Sequence, residues 1–110
     1  MAADESARLR SLLAQLPAIT TLLDLGCGTC SDVHVCFAAG ARRVCGVDWD
    51  WLALKAARRT HRSRALCLIC ADVRAVAFAL HTFDAILIRT LTLCVRRRSG
   101  KRRWRTQCVG

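Results

Sequence analysis

The spacing of apolar positions changes period several times along the chain, and each change marks an element. Leu9, Leu12, Leu13 and Leu16 fall at i, i+3, i+4 and i+7, which predicts a helix with one apolar face over residues 6–16. Pro17 stops it. The run "AITTLLDL" that follows is apolar and β-rich at its centre and predicts a buried strand. "SDVHVCFAA" predicts a short helix with Ser31 or Asp32 as its cap and Gly40 just past its end. "RRVCGVD" reads as a second strand. "DWLALKAARRTHR" reads as a helix, with Asp50 at its positive end and Lys and Arg towards its negative end. "RALCLICAD" and "FDAILI" are the third and fourth strands, joined through residues 74–81. Beyond Leu93 the apolar pattern fails, and "VRRRSGKRRWRTQCVG" predicts neither a strand nor a helix face.

Continuous apolar strands alternating with helices predict an α/β fold, a parallel sheet covered on both faces. Ligands in such sheets bind beyond the carboxyl ends of the strands, and those ends carry the chain's distinctive chemistry. The first strand delivers Asp24 and then the loop Gly26-Cys27-Gly28-Thr29. Glycines there permit a tight turn and let a ligand approach the backbone. The second strand ends in Asp48, 20 residues after Gly28, a carboxylate suited to both hydroxyls of a ribose. The third ends in Asp72, able to accept from an exocyclic amine, with Trp49 or Val73 to flank an adenine ring. A glycine loop with acids closing the next two strands predicts a site for an adenosine-bearing ligand.

At 110 residues the chain is one small domain or part of a larger one, and its 54% hydrophobic content argues for a folded one. No apolar run approaches the ~20 residues of a membrane span. The N-terminus carries Asp4 and Glu5 and no apolar signal core, and Cys108 is misplaced for prenylation. An intracellular, cytoplasmic or nuclear location is therefore expected, with the eight cysteines as thiols. The net charge of +10 is concentrated at one end: residues 95–110 hold seven Lys and Arg and no acid.

Four stretches, "LLDLGCGTC", "VCGVDWDWLALKAAR", "LCLICADVRAVAF" and "FDAILI", resemble in order and spacing the cofactor motifs of class I S-adenosylmethionine-dependent methyltransferases. The resemblance covers roughly residues 17–88. A narrower one is to the branch containing the wobble-uridine tRNA methyltransferases. It implies a Rossmann-like sheet with strand order 3-2-1-4, S-adenosylmethionine as cofactor, and methyl transfer to a substrate such as RNA. By the same resemblance Asp24, Gly26, Cys27 and Gly28 lie around the methionine part, Asp48 binds the ribose, and Asp72 with Val73 meets the adenine. Two departures stand out. Cys30 occupies the place of the family's third loop glycine. The family's sheet has seven strands where about four are legible here, leaving "DAILI" as an apolar edge that invites a protein partner.

The domain organisation read from the chain is a helix over residues 1–16, a partial cofactor-binding core over 17–93, and a flexible basic tail over 94–110. Three roles are open for the tail: RNA contact through Arg96, Arg97, Arg98, Lys101, Arg102, Arg103, Trp104 and Arg105, a nuclear targeting patch, or the ending of a truncated isoform. The whole would then be a methyltransferase, a cofactor-binding pseudo-enzyme, or an interaction fragment.

The cysteines allow other readings. Cys27-Gly-Thr-Cys30 after a strand is also the local pattern of a thioredoxin-like redox site, but Pro17 is the only proline and does not sit beside those cysteines. A zinc site with Cys67 and Cys70 meets a geometric objection, since positions 67 and 70 of one strand face opposite sides, and no metal is expected. His34, His61 and His81 have no ligand spacing. Trp51 is expected to pack in the core, and no nucleophile or general base is evident.

Overall fold

The structure, a computed structural model, describes residues 2–15, 19–72, 82–88, 92–96 and 104–108. Three helices and six strands follow in the order α1 (Ala2–Ala14), β1 (Thr21–Leu25), α2 (Val33–Ala38), β2 (Arg43–Asp48), α3 (Trp51–Thr60), β3 (Leu66–Cys70), β4 (Ala85–Ile88), β5 (Thr92–Arg96) and β6 (Trp104–Cys108). They build a single sheet ordered β3-β2-β1-β4-β5-β6. The first four strands are parallel, with Leu23 beside Cys45 and Ile86 in neighbouring strands. This is the α/β arrangement expected from the sequence, with the Rossmann-like 3-2-1-4 order that the family resemblance implied.

The parallel strands hold together because both faces of β1 are apolar. Leu22, Val44, Leu66, Ala85 and Leu87 point to one side, where they meet Leu9 and Leu13 of α1, Val33 and Cys36 of α2, and Ala57 of α3. Leu23, Cys45, Val47 and Ile86 point to the other, joined by Leu25, Ala71 and Phe83. Among the described residues all three helices lie on the first side, so the expected two-faced cover is seen there on one face. Leu16, the last position of the predicted α1 stripe, and the connection over residues 73–81 lie outside the described residues.

Local polar groups fix how the helices and strands begin. Asp50 Oδ1 accepts from the amides of Leu52 and Ala53 at 3.1 and 3.2 Å, capping α3. Asp32 precedes α2 but makes no side-chain cap. It accepts from Ser6 Oγ at 2.7 Å instead, which ties α1 to α2. Asp84 Oδ2 accepts from Thr20 and Thr21 amides at 2.9 and 3.2 Å, fixing where β4 enters beside β1. Gly40, at φ 106, ends the α2 turn in a conformation that a side chain would strain.

The reading of the C-terminal stretch needs correction. Residues 92–96 and 104–108 form antiparallel strands, β5 against β4 and β6 against β5, with Arg96 opposite Trp104. The fourth strand is therefore not an edge. The basic run does contain a strand, because backbone pairing does not depend on an apolar face, and neither alternation nor a hydrophobic run signalled it. Residues 97–103 lie outside the described residues.

Candidate cofactor site

The carboxyl ends of β1 and β2 come together through the backbone. After Leu25 the chain turns through Gly26 at φ 74 and Gly28 at φ 54. The amides of Gly26 and Cys27 both donate to Val47 O, at 2.7 and 3.1 Å, folding the loop onto the end of β2. Cys30, at φ 58, takes the left-handed conformation that a glycine would adopt without strain. It stands where the sequence showed the missing third glycine. The loop closes on itself through Cys30 N donating to Cys27 O at 2.9 Å.

Asp48 organises this junction. Its Oδ2 accepts from Gly28 N at 2.9 Å and its Oδ1 from Asp50 N, also at 2.9 Å. One carboxylate thus pins the glycine loop to the turn that starts α3. Each oxygen retains acceptor capacity beyond its backbone bond, so a diol can be accepted without releasing either amide. A Cβ placed on Gly28 would meet nothing within 4 Å, which leaves open space beside the amide.

Asp24 sits one pleat below, buried at 3% exposure. Its Oδ1 is buried with no hydrogen-bond partner among the described residues. Burial, and then the negative charges of Asp32 and Asp48, push its carboxyl up to about 7. An orphaned acceptor in a cluster of acids fits a cationic ligand group, which would satisfy the oxygen and offset the repulsion. S-adenosylmethionine carries such groups in its ammonium and sulfonium, so the residues present fit the expected cofactor.

The remaining predicted positions spread outward. Asp72 follows β3 on the exposed surface, and Val73 lies outside the described residues. Trp49 is 82% exposed and borders a shallow depression of about 310 Å³ with Asp50, Trp51 and Leu52. Trp51 is a correction: it is exposed, not core. The buried stripe of α3 is Leu54 and Ala57, and Trp51 overhangs the sheet one turn earlier. There it lines a groove of about 400 Å³ with Leu54, Lys55, Arg58, Arg59, Leu68 and Cys70.

The cysteine pairs of the zinc reading are held apart. Cys27 and Cys30 lie over Gly46, Cys67 stands beside Cys45 in the strand register, and Cys70 Sγ reaches Trp49 O at 3.5 Å. The thioredoxin-like reading, which needs an activated thiol, required a helix to begin at the cysteines and lower a thiol's pKa. Here α2 begins three residues after Cys30, and the hydrogen bond with Cys30, together with burial, holds the Cys27 thiol well above its usual range.

Gly46 was not singled out by the sequence, yet it is the floor of the loop. A Cβ there would stand 2.8 Å from Cys27 Sγ and 3.1 Å from both Cys30 Sγ and Leu68 Cδ2. Gly46→Ala is therefore expected to destabilise the fold by about 1–3 kcal/mol, the usual cost of overpacking. Urea unfolding of the two proteins measures it, and an unchanged midpoint would show that the loop moves aside freely.

The methyltransferase domain family matches residues 22–107. The chain belongs to this family. No curated protein matches it. Among solved structures, one described as an S-adenosylmethionine dependent methyltransferase from Listeria monocytogenes superposes with a TM-score of 0.66 at 28% identity, over 79% of this chain and 39% of that one. The S-adenosylmethionine-bound CalS10 of Micromonospora echinaspora, an amino pentose methyltransferase, is 33% identical at a TM-score of 0.56, over 79% and 34% of the two chains. The [4+2]-cyclase SpnF is 27% identical at a TM-score of 0.62, over 77% and 33%. The chain thus spans about two fifths of the length of the first of these structures. Family and fold are those of S-adenosylmethionine-dependent methyltransferases, as the four sequence motifs implied. No helix among the described residues is long and apolar enough to cross a membrane.

Proposed function

We propose that this chain binds S-adenosylmethionine at the carboxyl ends of β1, β2 and β3 and serves methyl transfer. The observation that carries the reading is the junction of buried Asp24, the open amide side of Gly28 and the Asp48 carboxylate. Asp24 with residues 26–28 would hold the methionine part, Asp48 the ribose diol, and Asp72, Val73 and Trp49 the adenine. When bound, the cofactor supplies a methyl group made electrophilic by its sulfonium. The chain's own contribution is to orient that group and keep it in line with an acceptor, which is where most of the acceleration of such a displacement comes from.

RNA is the proposed acceptor class, and within it a wobble-uridine tRNA. The support is the basic run Arg96, Arg97, Arg98, Lys101, Arg102, Arg103 and Arg105 with Trp104 among them, cations for phosphates and an indole for a base. A second reading, cofactor binding without methyl transfer, draws on the likeness to SpnF, a cyclase on the same fold.

Calorimetric titration with S-adenosylmethionine and S-adenosylhomocysteine tests the site. Saturable binding at micromolar concentration is expected, and a folded protein that takes up neither would end the cofactor reading. Incubation with methyl-labelled cofactor and tRNA then separates the two activities. Label in the RNA supports transfer, and binding with no label in any RNA favours the second reading.

A further inference from the structure

Two sulfurs lie beneath the glycine loop, and the methyl-transfer reading uses neither of them. Cys27 Sγ and Cys30 Sγ stand 2.8 and 3.1 Å from one point, the place a Cβ on Gly46 would occupy. The backbone between them is already closed. Cys30 N donates to Cys27 O at 2.9 Å, which makes residues 27–30 a turn with its end Cα atoms within about 7 Å. Disulfides span Cα separations of roughly 4.4–6.8 Å. Gly46 provides the clearance: any side chain in its place would intrude between the sulfurs and β2. The open space beside Gly28 belongs to the loop amides that meet Asp48, so a bond formed against Gly46 leaves that side clear.

We propose that Cys27 and Cys30 form a reversible dithiol–disulfide couple that locks the glycine loop in its cofactor-binding turn. The locking role rests on the S-adenosylmethionine reading, whereas the couple rests on the sulfur geometry alone. The oxidant is a small-molecule disulfide of the glutathione class. Cys27 is half-buried and Cys30 buried, so Cys27 is the thiol that meets it. The Cys27 thiolate attacks one sulfur of oxidised glutathione, and the S–S bond breaks with its electron pair leaving on the first glutathione thiolate. The Cys30 thiolate then attacks the Cys27 sulfur and expels the second glutathione. Two protein thiols become one disulfide, and their two protons pass to the two released thiolates. The thiol–thiol hydrogen bond and burial oppose thiolate formation at Cys27, which makes the exchange slow near neutral pH and faster in alkali. Once closed, the turn loses loop freedom that cofactor binding would otherwise have to remove.

The competing thiols make the prediction specific. Cys36 is buried in α2, and Cys45 faces Cys67 across the β2–β3 register. The native protein is incubated with oxidised glutathione at pH 8, free thiols are alkylated, and the tryptic peptide 11–42, which carries Cys27, Cys30 and Cys36, is analysed by mass spectrometry. A loss of two hydrogens, placed between positions 27 and 30 by fragmentation and reversed by dithiothreitol, is the expected result. In Cys30→Ser a glutathione adduct should persist on Cys27, since no second thiol expels it. Free thiols at both positions after Cys67 has reacted, or a link from either to Cys36, would overturn the couple. Calorimetry with S-adenosylhomocysteine on the oxidised and reduced forms then reads the locking. Affinity a few-fold tighter than in the reduced form supports it, and equal or weaker affinity on oxidation overturns it. If the 27–30 bond forms and neither form binds, the cofactor reading fails and the locking role with it, while the couple stands.

Discussion

Asp48→Ala should weaken S-adenosylmethionine binding by at least 10- to 100-fold without unfolding the protein. The carboxylate is the acceptor proposed for the ribose diol, and hydrogen bonds to a charged group contribute about 1.5–3 kcal/mol each. It is also the tie between Gly28 N and Asp50 N, so its removal frees the loop that has to be ordered when ligand binds. Both effects act in the same direction. Asp48→Asn keeps one carbonyl oxygen but turns an NH2 group towards an amide donor, and its affinity should fall between the other two. Calorimetry with both cofactor forms, alongside circular dichroism to confirm the fold, measures the series. Unchanged affinity in Asp48→Ala would remove Asp48 from the site.

Asp24 predicts a pH dependence of a less usual sign. Its carboxyl is raised from 3.8 to about 7 by burial and by Asp32 and Asp48, so the folded state holds its proton more tightly than the unfolded chain does. The folded form therefore gains stability from this group as pH falls from about 7 towards 4, and below that both states are protonated and the gain is complete. Above pH 7 the buried charge costs stability, of the order of 4 kcal/mol from about three units at ~1.36 kcal/mol each. Asp24→Asn should consequently be more stable than the wild type at pH 8, with a flatter stability profile between pH 4 and 7. Comparing the melting of the two proteins across this range isolates the group from all others. The same carboxyl should report the cofactor. A cationic ligand group beside it favours the ionised form, so binding at pH 6 should release close to one proton. Titrations in buffers of different ionisation enthalpy count that proton, and Asp24→Asn should lose both the release and affinity. Proton uptake, or no exchange in the wild type, would mean that the cation does not sit at Asp24.

These two aspartates illustrate what could be read in advance. Both were visible from their place at the ends of apolar strands, because strand period and strand polarity together decide which residues a parallel sheet presents at its ligand-binding edge. What separates their roles was not visible. Asp24 is buried and its Oδ1 has no hydrogen-bond partner among the described residues, while Asp48 is half-buried and holds two amides. That difference is the work of neighbours far along the chain, including Val47, whose carbonyl draws the loop onto β2. Ser31 or Asp32 was expected to cap α2, and the Asp32 side chain accepts from Ser6 of α1 instead. Asp84 was unremarked and fixes the entry to β4. A carboxylate's partner is chosen by three-dimensional proximity, which local spacing does not encode.

The strand order was implied only by the family resemblance, whereas the sequence by itself determined the α/β class, the glycine loop and the acids around it. It could do so because each rests on a short-range rule: residue period, turn chemistry and the crossover geometry of strand–helix–strand units. Only the tertiary structure decided the fate of the basic end, where β5 and β6 extend the sheet beyond β4. It likewise decided the exposure of Trp51 and the meeting of two thiols over Gly46. Each of these depends on which distant segments lie side by side. Pairing partners, packing neighbours and the space under a loop come into being when the sheet assembles.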